Sequence, residues 1–293
     1  MFAVARRNAM NFSTPSRVFL SSIFVVVATL LSAGRLCAHE VWIEPDKTEI
    51  SAGETLVADL KIGDLFTGDH LIYIPQLTER LFVLTDTGPF DLNPRIGSRP
   101  VISVPPEKLA ARTGGVVLVY QSANSYVRYA SQEKFFRFAK KKGAGDLEPA
   151  HIGRQLPQRG FVERYKRFAK ASISTGPDSG MANDRAVGME LEFVLLGRTL
   201  LSDSRHEFNV KLLYQGKSLP GAPVTLFSRD RDGTVETSQL TTDARGAIKV
   251  TAEGGRRYLL DHVTIREADP SKDRNRPVWE SLWASLTFAG PTP

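Results

Sequence analysis

The chain has a single cysteine, Cys37, and it falls within the first 38 of 293 residues. Without that segment the protein has no disulfide and no thiolate to ligate a metal. An excess of one charge sign is missing too. The formal net charge is +6, but Arg6, Arg7, Arg17 and Arg35 lie in residues 1–38, where there is no acid, leaving 34 basic against 32 acidic side chains. A remainder at +2 carries no global basic field, which argues against nucleic acid as a partner. The usual catalytic signatures are absent: there is no G-x-S-x-G elbow, no P-loop and no G-x-G-x-x-G behind a strand. The pairs His39-Glu40 and His206-Glu207 have no second histidine four residues on, so a zinc-protease helix is excluded. Asp230, Asp232 and Gly233 form only a fragment of a calcium loop and read as a solvated hairpin. The chain reads as a binding or structural protein, not an enzyme.

What is present begins with an export signal. Arg6, Arg7 and Arg17 precede the apolar stretch Val18–Ala33, and Leu36 and Ala38 stand where a signal peptidase cuts. The apolar stretch is shorter than the roughly 20 residues of a comfortable membrane span, and nothing later in the chain approaches that length. Residues 1–38 are therefore expected to be a cleaved signal peptide, with Met10 as an alternative start. The expected product is a soluble periplasmic protein with no stable membrane insertion. "GRLC" lacks the small residues of a lipoprotein site, so Cys37 is not read as a lipid anchor.

The rest predicts a mainly β protein of two β-sandwich, Ig-like domains with short helices between them. In "TLVADLKIGD" Leu56, Ala58, Leu60 and Ile62 share one face of a half-buried strand. "RLFVLTD" and "GVVLVYQS" read as short strands between turns. "SQEKFFRFAKKKGAGD" and "GFVERYKRFAKASIS" set aromatics among Lys and Arg at near-helical spacing, the pattern of a membrane-surface segment or of a helix packed on a sandwich. The second of these readings is adopted, with strand character toward "KASIS". Alternation returns at Phe208, Val210, Leu212 and Tyr214, and Asp232-Gly233 signals a hairpin. The expected division is a β-rich domain with a helical insert at 39–188 and an Ig-like sandwich at 189–293.

Any nickel, copper or zinc site must draw on five histidines, His39, His70, His151, His206 and His262. His39 is special if the cut follows Ala38. Its imidazole and a free α-amine, with a pKa near ~8, then form a chelate that needs little ordering. His262 lies in the apparent strand "YLLDHVTIR", where taken alone it reads first as a hydrogen-bonded strand residue and second as a ligand. His70 is a weaker loop candidate near Asp64 and Asp69, and His151 and His206 read as surface residues. Trp42, Trp279 and Trp283 are expected to pack the two ends of the chain together.

The segments "AHEVWIEP", "VADLKIGDLF", "RYKRFAKASI", "GMELEFVL", "VKLLYQGKSLPGAPVTLF", "TTDARG" and "WESLWASLTF" occur in that order over nearly the whole remainder. Together they resemble a family of exported bacterial proteins of unassigned function, catalogued as the periplasmic component of cobalt/nickel (ABC-type) transport. Leu212–Val250 is similar to the carboxypeptidase-regulatory type of Ig-like module, a fold analogy without catalytic content. The resemblance implies a nickel- or cobalt-binding or delivery protein serving a membrane metal-transport complex. It makes His39 the first ligand, with His262 and Glu40 as further candidates. The chain departs from the family around "KIGDLFTGDH", where relatives carry a glycine–aromatic pair. Two other readings stay open: a copper site built on His39, with Cu(II) as the metal, and a purely structural exported sandwich.

Overall fold

Period-two alternation sets the architecture. The computed structural model describes residues 39–109, 115–175, 184–202 and 204–291, and it is mainly β, with 53% strand against 10% helix. The expected signal peptide lies outside the described residues, as does most of the glycine-rich stretch before Asp184. His39–Pro293 is a compact unit. Its strands run β1 (Glu40–Pro45), β2 (Leu56–Asp64), β3 (Thr67–Leu71), β4 (Thr78–Thr85), β5 (Gly88–Asp91), β6 (Ile102–Val104), β7 (Val116–Ser122), β8 (Ser125–Arg128) and β9 (Val162–Ile173). Then follow β10 (Leu191–Ser202), β11 (Arg205–Tyr214), β12 (Lys217–Ser218), β13 (Pro223–Arg229), β14 (Val235–Thr241), β15 (Ala247–Glu253), β16 (Arg257–Glu267) and β17 (Trp279–Ala289). Helices α1 (Gln132–Lys141) and α2 (Glu148–Gly153) stand between β8 and β9.

A long sheet runs β14-β13-β16-β17-β9-β7-β4-β5, with β8 also on β9. The β17–β9 pairing is parallel and sets Trp283 opposite Arg167, so strands from both sides of residue 188 share this sheet. Smaller sheets pack on its two faces. The sheet β1-β2-β3, with β6 on β2, meets one face through Ile43, Ala58 and Val104 against Val83, Leu118 and Ala171. The sheet β10-β11-β12, with β15 on β11, meets the other through Phe193, Val210 and Val250 against Val119, Leu260 and Leu286. The result is a layered β-sandwich whose cores form wherever alternate side chains face one another.

Two segments show how tertiary context decides a local pattern. "GFVERYKRFAKASIS" is not a surface helix. Val162–Ile173 is strand β9 in the middle of the long sheet. The near-helical spacing of Phe161, Tyr165 and Phe168 hides a period of two, in which Ala169, Ala171 and Ile173 enter one core and Phe168 the other. α1 does form in "SQEKFFRFAKKKGAGD", but Phe135, Phe138 and Ala139 are buried on the protein side. Phe138 stacks on Trp283 with centroids 5.4 Å apart, and Phe135 meets Trp279 at the same distance. The apolar stripe is thus spent on the sandwich. Among the described residues no helix is long and apolar enough to cross a membrane.

The stretch that departs from the family pattern is the β2–β3 hairpin. Its turn residues Leu65 and Phe66 have φ of 53° and 58°, a region that favours glycine or asparagine. Phe66 accepts that backbone because its ring is fully buried, edge-on to Trp42 with centroids 5.5 Å apart.

Candidate functional site

The site is built outward from Glu40. All of β1 is buried, and Glu40 is only 1% exposed, which is costly for a carboxylate without a partner. The partner comes from the end of α1. Lys142 Nζ lies 2.6 Å from Glu40 Oε1 and 2.9 Å from Asp261 Oδ2, and 4.8 Å from the centroid of the Trp283 ring. Gly143, at φ +74°, turns the chain immediately after the lysine, and a Cβ there would stand 2.7 Å from the Pro223 ring on β13. Only glycine lets the end of α1 come this close to the sheet. Burial pushes the Glu40 pKa up and Asp261 adds to the rise, while Lys142 opposes it. Burial works to lower the Lys142 pKa, but Asp261 and Glu40 outweigh it and the net shift is upward. The centre is therefore an internal ammonium held between two carboxylates, with Glu40 Oε2 buried and without a hydrogen-bond partner among the described residues.

His39 precedes this centre and is half-buried. Arg167 Nη1 donates to the His39 carbonyl at 2.6 Å, and its guanidinium lies 5.0 Å from the Trp283 ring centroid and 5.2 Å from that of Tyr165. Alternation puts His262 elsewhere. Leu259 packs with Trp42, whereas Leu260 belongs to the core beneath β10–β15. Asp261 takes the side of Leu259, and His262 the side of Leu260. His262 is buried, with Nδ1 2.6 Å from the Pro223 carbonyl and Nε2 3.0 Å from Thr264 Oγ1. Burial lowers its pKa. Where β13 leaves β16, a cavity of about 230 Å³ is lined by His262, Asp261, Lys142, Gly143, Thr225 and Gln239.

The structure thus groups Glu40 with Asp261 around Lys142, and it does not bring His262 to the face that carries His39. Among the described residues, no group of three or more His, Cys, Asp or Glu side chains is placed to hold a metal ion. All three tryptophans are buried, and β17 is tied to β1 where Ser285 Oγ donates to the Val41 carbonyl at 2.8 Å. His151 is not a surface residue. It is 0% exposed, takes Trp279 Nε1–H on Nδ1 at 3.1 Å, and donates from Nε2 to the Pro157 carbonyl. His206 is buried as well, on β11 between its register partners Leu200 of β10 and Ala252 of β15. His70 pairs with neither Asp64 nor Asp69. Its Nδ1 is 2.7 Å from Asp59 Oδ2, and Lys61 Nζ lies 2.8 Å from Nε2.

A second buried carboxyl lies nearby. Glu163 on β9 accepts from Tyr129 Oη at 2.6 Å and from Ser281 Oγ, which in turn accepts from Trp283 Nε1 at 2.9 Å. Burial, opposed by these donors and by Arg167, pushes its pKa from 4.5 up to about 7. Between those values the folded chain keeps a proton that the unfolded chain has lost. Stability from this group is complete at acidic pH and declines as pH rises toward 7. We expect Glu163→Gln to flatten that slope, and to be more stable than the parent at pH 8 by roughly 3 kcal/mol in urea denaturation. An unchanged slope between about pH 5 and 7 would show that Glu163 titrates normally.

A family model described as "Domain of unknown function (DUF4198)" matches residues 36–266. The chain belongs to this family. No curated protein matches the DUF4198 chain. Among solved structures, the tetra-tandem repeat in the extending region of a large adhesion protein is 10% identical, with a TM-score of 0.23, over 86% of this chain and 49% of the other. The DUF4198 chain thus spans about half the length of that repeat protein. The D0-D1 domain of intimin is 12% identical with a TM-score of 0.19, over 84% of this chain and 97% of the other. Escherichia coli alpha-2-macroglobulin activated by porcine elastase is 13% identical with a TM-score of 0.21, over 86% of this chain and 20% of the other. TM-scores this low carry no argument about fold or function.

Proposed function

We propose that this DUF4198 chain, exported and cut after Ala38, is a periplasmic nickel- or cobalt-binding or delivery protein that serves a membrane metal-transport complex and performs no catalysis. The observation behind the proposal is the placement of His39. The compact unit starts at this residue, and its carbonyl is fastened by Arg167 next to a rigid, fully buried strand. Once freed by processing, its amine and imidazole are a two-nitrogen chelate on a fixed support. The rest of the expected ligand set fits less well. Lys142 already holds Glu40, and His262 faces the other side of the sheet. The remaining coordination positions are left to water or to donors of the receiving complex, which suits a cargo that has to be released. We assign the strands of Leu212–Val250 to the carboxypeptidase-regulatory type of Ig-like module as a scaffold without chemistry of its own.

Cu(II) is the alternative cargo, because nitrogen donors prefer Cu(II) to Ni(II) and Ni(II) to Co(II) by intrinsic affinity. A structural role is favoured by the lack of any three-ligand group among the described residues. Intact mass of protein recovered from the periplasm tests the foundation: the chain is expected to begin at His39. A mass retaining residues 1–38, or a cut several residues beyond, removes the chelate. Calorimetry of the processed chain is then expected to find one site, weakening as pH falls because protons compete for both nitrogens.

A further inference from the structure

At one end of the long sheet, a pocket of about 470 Å³ lies between the β13–β14 turn, the start of β16 and the end of β17. Its wall carries Arg229, Arg231, Arg256 and Arg257, and Asp230 as the only acid among the described residues. Four guanidiniums around one space repel unless anions compensate them. The compensation within the protein is uneven. Arg229 Nη2 and Arg257 Nη1 both donate to one atom, Glu44 Oε1, each at 2.5 Å, while Glu44 Oε2 is taken by Trp42 Nε1 at 2.8 Å. Arg256 is held by Asp230 and Glu236, at 2.8 and 2.7 Å. Arg231 has no hydrogen bond or ion pair among the described residues. Its guanidinium lies across Gly255, where an added Cβ would stand 2.6 Å from Nε and 2.8 Å from Nη2.

Three of these arginines are already immobilised. Arg229 lies 4.1 Å from the Phe66 ring centroid and donates to the Phe66 carbonyl, and Arg257 also donates to the carbonyls of Pro45 and Asp46. Donors fixed before a ligand arrives lose little freedom when it binds. A guanidinium fork matches the paired oxygens of a carboxylate or phosphate, and the volume suits a small molecule. We propose that this pocket binds a small oxyanion, a phosphate or the carboxylates of an organic acid, with Arg231 as the main donor and Arg229 and Arg257 completing the cradle. The proposal is independent of His39 and of any metal.

The test is calorimetric titration of the folded, metal-free protein at low ionic strength, with inorganic phosphate and with citrate in separate runs. Saturable one-site binding of at least one is expected, and whichever binds tighter names the oxyanion class. Arg231→Ala is expected to weaken it about tenfold or more, the loss of a charged hydrogen-bonding partner. Its melting temperature without anion is expected to match the parent, because Arg231 makes no hydrogen bond or ion pair among the described residues. No saturable binding of either anion, or equal affinity in Arg231→Ala, overturns the assignment.

Discussion

Lys170→Met is expected to destabilise the folded chain by about 3–5 kcal/mol in urea denaturation, the range seen when one partner of a buried ion pair is removed. Lys170 sits on β9 with 0% of its side chain exposed. Its Nζ lies 2.9 Å from Asp184 Oδ1, 3.2 Å from Glu192 Oε2 and 3.0 Å from the Arg185 carbonyl. Both carboxylates also organise backbone. Asp184 Oδ2 accepts Leu195 N–H at 2.7 Å, and Glu192 accepts the N–H groups of Val187 and Gly188. Burial already raises the Asp184 pKa, and Lys170 is the largest influence opposing that rise. Without the ammonium two acids are left in the core. The folded variant then holds protons that its unfolded chain releases, so its deficit grows as pH rises above the ordinary carboxylate range. Adding Asp184→Asn and Glu192→Gln is expected to recover part of the loss. A deficit under about 1 kcal/mol for the single variant would mean the triad is open to water.

Lys142→Met is expected to lose about 3 kcal/mol or more, with the same sign of pH dependence. Here the stranded acids are Glu40 and Asp261, and burial together with the neighbouring Asp261 already raises the Glu40 pKa. Lys142 also links the end of α1 to β1 and β16, so its removal is expected to speed hydrogen exchange in α1 more than in β17. The variant is expected to approach the parent's stability near about pH 4 and to fall away from it by pH 7. A pH-independent deficit would place the loss in packing against Trp283 instead.

Much of the sandwich is legible in the residues. The alternation of "FNVKLLYQG" becomes β11, with Phe208, Val210 and Leu212 entering one core, and Asp232-Gly233 closes the β13–β14 hairpin. β9 is misread because its polar positions are basic: Arg164, Lys166 and Lys170 look like a solvated helix face until Glu79, Asp184, Glu192, Asp273 and Glu280 supply distant partners. His151 and His206 fail for a similar reason, since local polarity does not reveal that Trp279 bonds the first or that strands flank the second on both sides. At the candidate site the histidines draw the eye, and the residues that organise the centre are Lys142, Asp261 and Arg167. A faint signal for Asp261 exists, an acid in the apolar run "YLLDHV". None exists for Lys142, the last of three successive lysines, because only tertiary structure tells which of the three turns inward.

The most direct measurement compares metal affinity in two chains that both begin at His39, one with a free α-amine and one with that amine acetylated. Acetylation leaves the imidazole in place and takes the α-amine lone pair out of play, without bringing a new terminal amine that could chelate in its stead. Calorimetry with Ni(II), repeated with Co(II) and Cu(II), is expected to give one site in the first chain and a loss of about tenfold or more in the second, the scale of one lost charged donor. His262→Ala, on the opposite face of the sheet, is expected to bind like the parent. Equal affinity with and without the acetyl group would contradict the terminal chelate and leave the structural reading of this sandwich in its place.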